Sequence, residues 1–130
     1  MEKPKIILVD DHDVFRKSLK SLITIENIAT VIGEASNGQE FLELLSHLQP
    51  DLVLMDIDMP EMNGLEATQK AMIHRPDLKI IAFTMYRDDE YILRMKELGA
   101  KGYLIKSNDF SELEKAIHLI HKGEEYFVIS

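Results

Sequence analysis

The chain has 130 residues, no cysteine, and 23 acidic against 15 basic side chains, for a net charge of -8. That length fits one domain, which buries roughly two-thirds of its unfolded surface and needs no disulfide or structural metal to fold. The missing cysteines exclude a disulfide framework, a zinc-thiolate site and a cysteine nucleophile, and suit a reducing, cytoplasmic setting. The acidic balance repels nucleic acid, so any DNA contact is expected from another domain. No apolar run approaches the ~18 residues of a membrane span, so no membrane partner is expected. Asp10, Asp11 and Asp13 interrupt the apolar segment after Leu8 and Val9, so no signal peptide is expected either.

Lys5-Ile6-Ile7-Leu8-Val9 is a short continuous apolar run of the kind that forms a strand buried on both faces. It ends in Asp10, Asp11, His12 and Asp13. Val14, Phe15, Leu19, Leu22 and Ile23 then recur at helical spacing, with Asp13 as the expected N-cap. Thr30 to Ala35 is a less regular strand, punctuated by Asn37-Gly38. Phe41, Leu42, Leu44, Leu45 and Leu48 form the next helical stripe, stopped near Pro50. Leu52-Val53-Leu54-Met55 runs straight into Asp56, and a loop of Asp58, Met59, Pro60, Met62, Asn63 and Gly64 follows.

Leu65 to Ile73 reads as a helix ending before Pro76, and Ile80 to Phe83 as a fourth strand finishing at Thr84. Tyr91, Ile92, Met95 and Leu98 mark a helix closed by Gly99, an expected C-terminal cap. Gly102 to Ile105 is a fifth strand ending at Lys106. Asp109 is the expected cap of a last helix, with Leu113, Ala116, Ile117 and Ile120 inward, ended by Gly123. Residues 1–123 are thus expected to form the domain. The tail 124–130, with Tyr126, Phe127, Val128 and Ile129, falls outside the helical period, and self-association is one role for it.

Five alternations of strand and helix imply an α/β fold, a parallel sheet covered on both faces, because parallel strands need crossover connections. Right-handed crossovers suit the doubly wound, flavodoxin-like (βα)5 order 2-1-3-4-5. In that order the ends of strands one, three, four and five converge. They carry Asp10 and Asp11, Asp56, Thr84 and Lys106. Like charges about 4 Å apart repel by about 4 kcal/mol at an effective dielectric near 20, so such a cluster takes up protons or binds a cation. Oxygen ligands without a dedicated cage favour magnesium, with manganese as the alternative ion. A carboxylate beside magnesium and a lysine suits phosphoryl transfer. Asp56 is the candidate nucleophile, Lys106 neutralises phosphoryl charge, and the Thr84 hydroxyl donates to a phosphoryl oxygen.

The text Ile-Leu-Val-Asp-Asp-His at 7–12, Val-Leu-Met-Asp-Ile-Asp-Met-Pro at 53–60, Met-Asn-Gly-Leu-Glu-Ala at 62–67 and Gly-Ala-Lys-Gly-Tyr-Leu-Ile-Lys at 99–106 resembles the receiver domain of bacterial two-component response regulators. The resemblance covers nearly the whole chain. It implies that Asp56 is the phosphoacceptor for a histidine kinase. Asp10, Asp11, Asp56 and the backbone carbonyl of Asp58 would hold the metal, Thr84 and Tyr103 would be the switch pair, and Lys106 would pair with the phosphate. Phosphorylation adds about -1.5 to -2 charges and three acceptors; Thr84 and Lys106 are drawn in, and Tyr103 can turn inward behind Thr84. Asp-Asp-His, Leu-Glu-Ala, Thr-Met-Tyr and the Gly-Glu-Glu-Tyr-Phe tail are similar to regulators of the LuxR/NarL type, whose helix-turn-helix output binds DNA. An excised receiver is therefore expected, with a stand-alone receiver as the alternative and a receiver homodimer as a further partner state. A receiver catalyses only its own phosphorylation and dephosphorylation, so no enzyme in the ordinary sense is expected.

Some positions depart from the common receiver pattern. Met85 follows Thr84 where a small residue is commoner, and would narrow access to the site. Ser107 follows Lys106 where many receivers have proline, so a trans bond is expected there. Asp58 and Tyr86 flank the site as modulators of dephosphorylation. Two rivals share some features. Asp56-Ile57-Asp58 resembles the signature of haloacid dehalogenase-type phosphatases, but Pro60 breaks it and the paired acids precede the nucleophile. A flavodoxin-like FMN binder needs a Ser/Thr/Gly loop after the first strand, where this chain has acids. His118 and His121 sit three apart on the last helix, a spacing compatible with metal, but two ligands make a poor site and solvated helix positions are expected; His12, beside the acids, could approach the cleft but reads as a loop side chain.

Overall fold

The computed structural model describes residues 3–85, 87–106 and 109–127. In chain order its elements are β1 (Lys5–Val9), α1 (Asp13–Ile25), β2 (Thr30–Ala35), α2 (Gly38–Leu45), β3 (Leu52–Met55), α3 (Gly64–His74), β4 (Lys79–Thr84), α4 (Asp89–Leu98), β5 (Gly102–Ile105), α5 (Phe110–His121) and β6 (Tyr126–Phe127). The sheet is parallel throughout, in the order β2-β1-β3-β4-β5-β6. The first five strands and the flavodoxin-like order match the sequence expectation. The sixth strand does not appear in it.

The period of two along each strand divides the core. Ile7, Val9, Val53, Met55, Ile80, Ala82 and Tyr103 face α2, α3 and α4, meeting Phe41, Leu45, Ala67, Ala71 and Met95. Ile6, Leu8, Leu52, Leu54, Ile81 and Leu104 face α1 and α5, meeting Leu19, Ile23, Leu113, Ile117 and Ile120. Both faces of β3 are buried, which explains why its sequence is continuously apolar rather than alternating.

Helix ends follow the capping residues with one exception. Asn37, Asn63, Asp88 and Asp109 each accept from an amide of the first turn. Gly99 closes α4 with φ 101°, a backbone that disfavours other residues. The exception is α1. Asp13 is its first helical residue, not its cap; the cap position belongs to His12, whose side chain makes no capping bond. The Asp13 carboxylate instead pairs with Arg16 Nη1 at 2.8 Å, one turn further on.

The tail is spent on the domain's own sheet. Tyr126 and Phe127 pair with Gly102 and Tyr103 of β5. The Tyr126 ring packs on the α5 side and Phe127 on the α4 side, where Lys96 Nζ lies 4.8 Å from its ring centre. This argues against an exposed self-association role for those two residues. Val128 and Ile129 lie outside the described residues.

Candidate functional site

Parallel strands end on one side of the sheet, and three ladders run one step past the strands into the site residues. The Asp10 amide donates to Ala35 O at 3.0 Å, the Asp56 amide to Val9 O at 2.9 Å, and the Lys106 amide to Thr84 O at 2.7 Å. The backbone therefore anchors Asp10, Asp56 and Lys106 before any side chain contributes. Asp10, Asp56 and Thr84 are buried, at 5%, 2% and 1% exposure. The Asp11 side chain is more open.

Lys106 joins the cluster across 96 residues of sequence. Its Nζ donates to Asp10 Oδ2 at 2.5 Å and sits 3.4 Å from Asp56 Oδ2. The second approach is an ion pair without hydrogen-bond alignment, so Asp56 Oδ2 accepts no bond. The same ammonium lies 4.7 Å from the centre of the Phe15 ring, and Phe15 in turn packs against Phe83. A cation over an aromatic face is favoured, so Phe15 supports Lys106 from below.

Asp56 Oδ1 accepts from the Asp58 amide at 3.3 Å. Burial pushes the Asp56 pKa up, Lys106 pulls it down, and the neighbouring Asp10 carboxylate pushes it up again; the net direction is upward. Asp10 Oδ1 accepts from the His12 amide at 2.9 Å.

His12, a largely exposed side chain at the start of α1, does approach the acids. Its Nδ1 lies 3.2 Å from Asp10 Oδ1 and 3.5 Å from Asp11 Oδ1, although the side chain is largely exposed. One ligand atom each from Asp10, Asp11, His12 and Asp56 falls within 4.8 Å of the others. Asp11 Oδ1 and Asp56 Oδ2 are buried without a hydrogen-bond donor. Acceptor oxygens left without donors, in a mainly carboxylate set, fit a hard divalent cation.

The remaining expected positions are placed as follows. Tyr103 is on β5, opposite Ala82 and Phe127 in register, and its side chain is fully buried. The inward position of that ring is therefore already occupied in this structure. Burial and the nearby Asp88 carboxylate push its hydroxyl up to about 12. Asp58 is exposed in the β3–α3 loop. Met85 is 60% exposed just past Thr84. Tyr86 and Ser107 lie outside the described residues. One participant was missed by sequence reasoning: Arg16, buried in α1 and bonded to the Asp10 carbonyl. No motif marked it, since two of its partners, the Asp10 carbonyl after β1 and Glu34 of β2, lie outside its helix.

A family model described as "Response regulator receiver domain" matches residues 6–118. The chain belongs to that family. Among curated relatives, it is 38% identical over 122 residues to the response regulator GacA of Pseudomonas syringae pv. syringae (strain B728a), covering 94% of this chain and 57% of that protein. It is 40% identical over 123 residues to the nitrate/nitrite response regulator protein NarL of Escherichia coli (strain K12), covering 95% of this chain and 57% of that protein. The chain thus spans a little over half the length of these relatives. Among solved structures, a LuxR-family two-component response regulator from Aurantimonas sp. SI85-9A1 superposes with a TM-score of 0.91 at 34% identity, covering 96% of this chain and 89% of that one. These relatives place the receiver in the LuxR/NarL group. They are signalling proteins rather than enzymes in the ordinary sense. Among the described residues, no helix is long and apolar enough to cross a membrane.

Proposed function

We propose that this receiver works in the cytoplasm and accepts a phosphoryl group on Asp56 from a sensor histidine kinase. The observation that carries the reading is a 2%-exposed carboxylate at the end of β3, facing a lysine 3.4 Å away and a pair of further acids. An Asp56 carboxylate oxygen attacks phosphorus, and the bond from phosphorus to the donor's histidine nitrogen, or to the oxygen of a small acyl phosphate, breaks. Lys106 can follow the new charge because its ammonium already lies between Asp10 and Asp56. The Thr84 hydroxyl supplies a neutral donor from the neighbouring strand. Water later attacks phosphorus and restores the carboxylate. Asp58 and Met85, beside this path, and Tyr86, next in sequence, modulate its rate.

Asp10, Asp11, Asp56 and the Asp58 carbonyl would hold magnesium, or manganese in its place. Such an ion supplies charge neutralisation at the phosphoryl oxygens when bound. The acids prepare the place, since their mutual repulsion is relieved there.

The readout runs along β4 and β5. A phosphoryl group drawing Thr84 and Lys106 acts on the ends of two paired strands. The same β5 carries Tyr103, packed towards α4, so the surface made by α4, β5 and α5 responds. In this reading residues 1–123 form the receiver proper, β6 in the tail adds an edge strand to its sheet, and 124–130 lead on towards a helix-turn-helix output that binds DNA, as the LuxR/NarL relationship suggests. A receiver homodimer is a further partner state.

Intact mass after incubation with acetyl phosphate and magnesium tests the acceptor. The expected result is one added phosphoryl group that requires magnesium and is absent from Asp56→Ala. No adduct, with steady turnover of phosphate esters, would overturn the receiver chemistry.

A further inference from the structure

Arg16 is a buried cation away from the reacting groups. Its side chain is 9% exposed on α1. Nη1 donates to the Asp10 backbone carbonyl at 2.6 Å, and lies 2.8 Å from Asp13 Oδ1. Nε donates to Glu34 Oε1 at 3.1 Å, and the other Glu34 oxygen accepts from Lys20 Nζ at 3.0 Å. One guanidinium therefore ties α1, the edge strand β2 and the residue that ends β1. Burial works against its charge, yet the bonds to Glu34 and Asp13 prevail and raise its pKa.

An ion pair gluing a helix to a strand would need only Glu34. The bond to the Asp10 carbonyl is additional, and its position matters. The Asp10 amide is held by Ala35 O, and its carboxylate by Lys106 Nζ and the His12 amide. Arg16 holds the remaining end of the residue, its carbonyl. The carbonyl plane of Asp10 is also the plane that starts Asp11. Asp11 needs that constraint, because Asp11 Oδ1 is buried without a hydrogen-bond donor of its own. Among the described residues only one donor, His12 Nδ1, comes near that oxygen, at 3.5 Å, so the Asp11 carboxylate depends on its backbone for its placement.

We propose that Arg16 is a positioning residue for the metal-binding acids: its guanidinium, oriented by Glu34, fixes the Asp10–Asp11 peptide and thereby aims the Asp11 carboxylate at the cation. The inference rests on the reading of Asp10 and Asp11 as the metal pair. It requires arginine, because a planar fork reaches a carbonyl and a carboxylate at once, whereas a lysine ammonium is a single point.

The test is a magnesium chloride titration of the 15N-labelled chain, followed by amide shifts, with urea unfolding run in parallel. Groups that orient metal ligands typically change affinity by about 10- to 100-fold. Arg16→Lys and Arg16→Met are expected to weaken magnesium binding about tenfold or more, and to shift the Asp11 amide even without the ion. Glu34→Gln is expected to weaken it less, in the same direction. Ile23→Val, a core change on the same helix, is expected to lower stability and leave affinity alone.

Folded Arg16 variants that bind magnesium within about twofold of the wild type would overturn the role. Equal weakening in Ile23→Val would overturn it as well, by reducing the effect to general loosening. If neither Arg16 variant folds, unchanged affinity in Glu34→Gln overturns it. A wild-type chain that binds no magnesium removes the metal reading itself, an outcome distinct from unchanged affinity in the variants.

Discussion

Gly64→Ala separates two physical arguments that usually point the same way. Gly64 is the first residue of α3, and helix propensity alone favours alanine there by about 1 kcal/mol. Its surroundings say otherwise. A Cβ at this position would stand 2.3 Å from the Asp56 carbonyl oxygen and 2.7 Å from Ile57 Cα, whereas ordinary contact begins at 3.4 Å. Roughly 1 Å must open, and both obstacles are backbone, which cannot rotate aside as a side chain can. Gly64 is itself bound there, its amide donating to Ile57 O at 2.9 Å, and Asp56 is tied to β1 through Val9 O. The displacement therefore reaches the Asp56 carboxylate. Overpacking of this kind costs about 1–3 kcal/mol, and a misplacement near 1 Å can slow chemistry by about 100-fold. Urea unfolding and the rate of mass gain from acetyl phosphate read the two effects. Gly123→Ala is the contrast, since nothing stands within 4 Å of that Cβ and only its φ of 104° opposes the change. It is expected to cost stability by about 1 kcal/mol and leave the rate alone. A Gly64→Ala chain with wild-type stability and rate would refute the close-approach argument.

Three further outcomes follow from the same geometry. Lys106→Met removes the cation shared by Asp10 and Asp56 and leaves both buried acids uncompensated. Stability should fall by about 3 kcal/mol or more, and magnesium should raise the melting temperature of the variant more than that of the wild type; equal increments would count against a shared charge balance. Asp56→Asn removes a carboxylate whose pKa burial has raised above the ordinary 3.8. The folded state therefore holds the Asp56 proton more tightly than the unfolded chain, and stability is lost as pH rises through the folded value. The variant should be more stable than the wild type at pH 7 without divalent ions, with the difference vanishing below about pH 3.8; thermal melts across pH read this, and a constant difference sinks it. Truncation after Gly123 removes two half-buried aromatic side chains and should lower stability by roughly 2–4 kcal/mol without changing the sedimentation coefficient beyond the loss of mass; unchanged stability would show that β6 adds nothing to the sheet.

The inner strands were legible because they bury residues on both faces, leaving short continuous apolar runs such as Leu52 to Met55 and Ile80 to Phe83; the edge strand β2 is only partly buried, and its sequence is correspondingly less regular. β6 was not legible, for two residues cannot show a period, and its rings are divided between the two faces of the sheet. The cap of α1 was misread for a different reason. Asp13 has the right side chain beside a helical pattern, but the Arg16 guanidinium takes its carboxylate one turn inward. Local capping chemistry lost to a charged partner on the same helix, which is held there by half-buried Glu34 and the Asp10 carbonyl at the end of β1.

Asp10, Asp11, Asp56, Thr84 and Lys106 could be named before the fold was seen because parallel strands deliver their ends to one edge. That rule says which residues meet, and nothing about how closely. Their closeness comes from partners distant in sequence: Lys106 reaches Asp10 across 96 residues, Phe15 lies under the same ammonium, and Arg16 holds the Asp10 carbonyl. The outcome is an unequal balance, a cluster of three carboxylates with one inward-pointing lysine that reaches Asp10 and Asp56. Arg16 does not redress it, because its charge is turned towards Glu34 and Asp13. A second cation directed at the acids would quieten the cluster and compete with the divalent ion for the same oxygens. Holding the acids by a carbonyl, and not by their charge, fixes their direction while leaving them short of positive charge. That shortage is what a divalent ion, and then a phosphoryl group drawn to Lys106, can use.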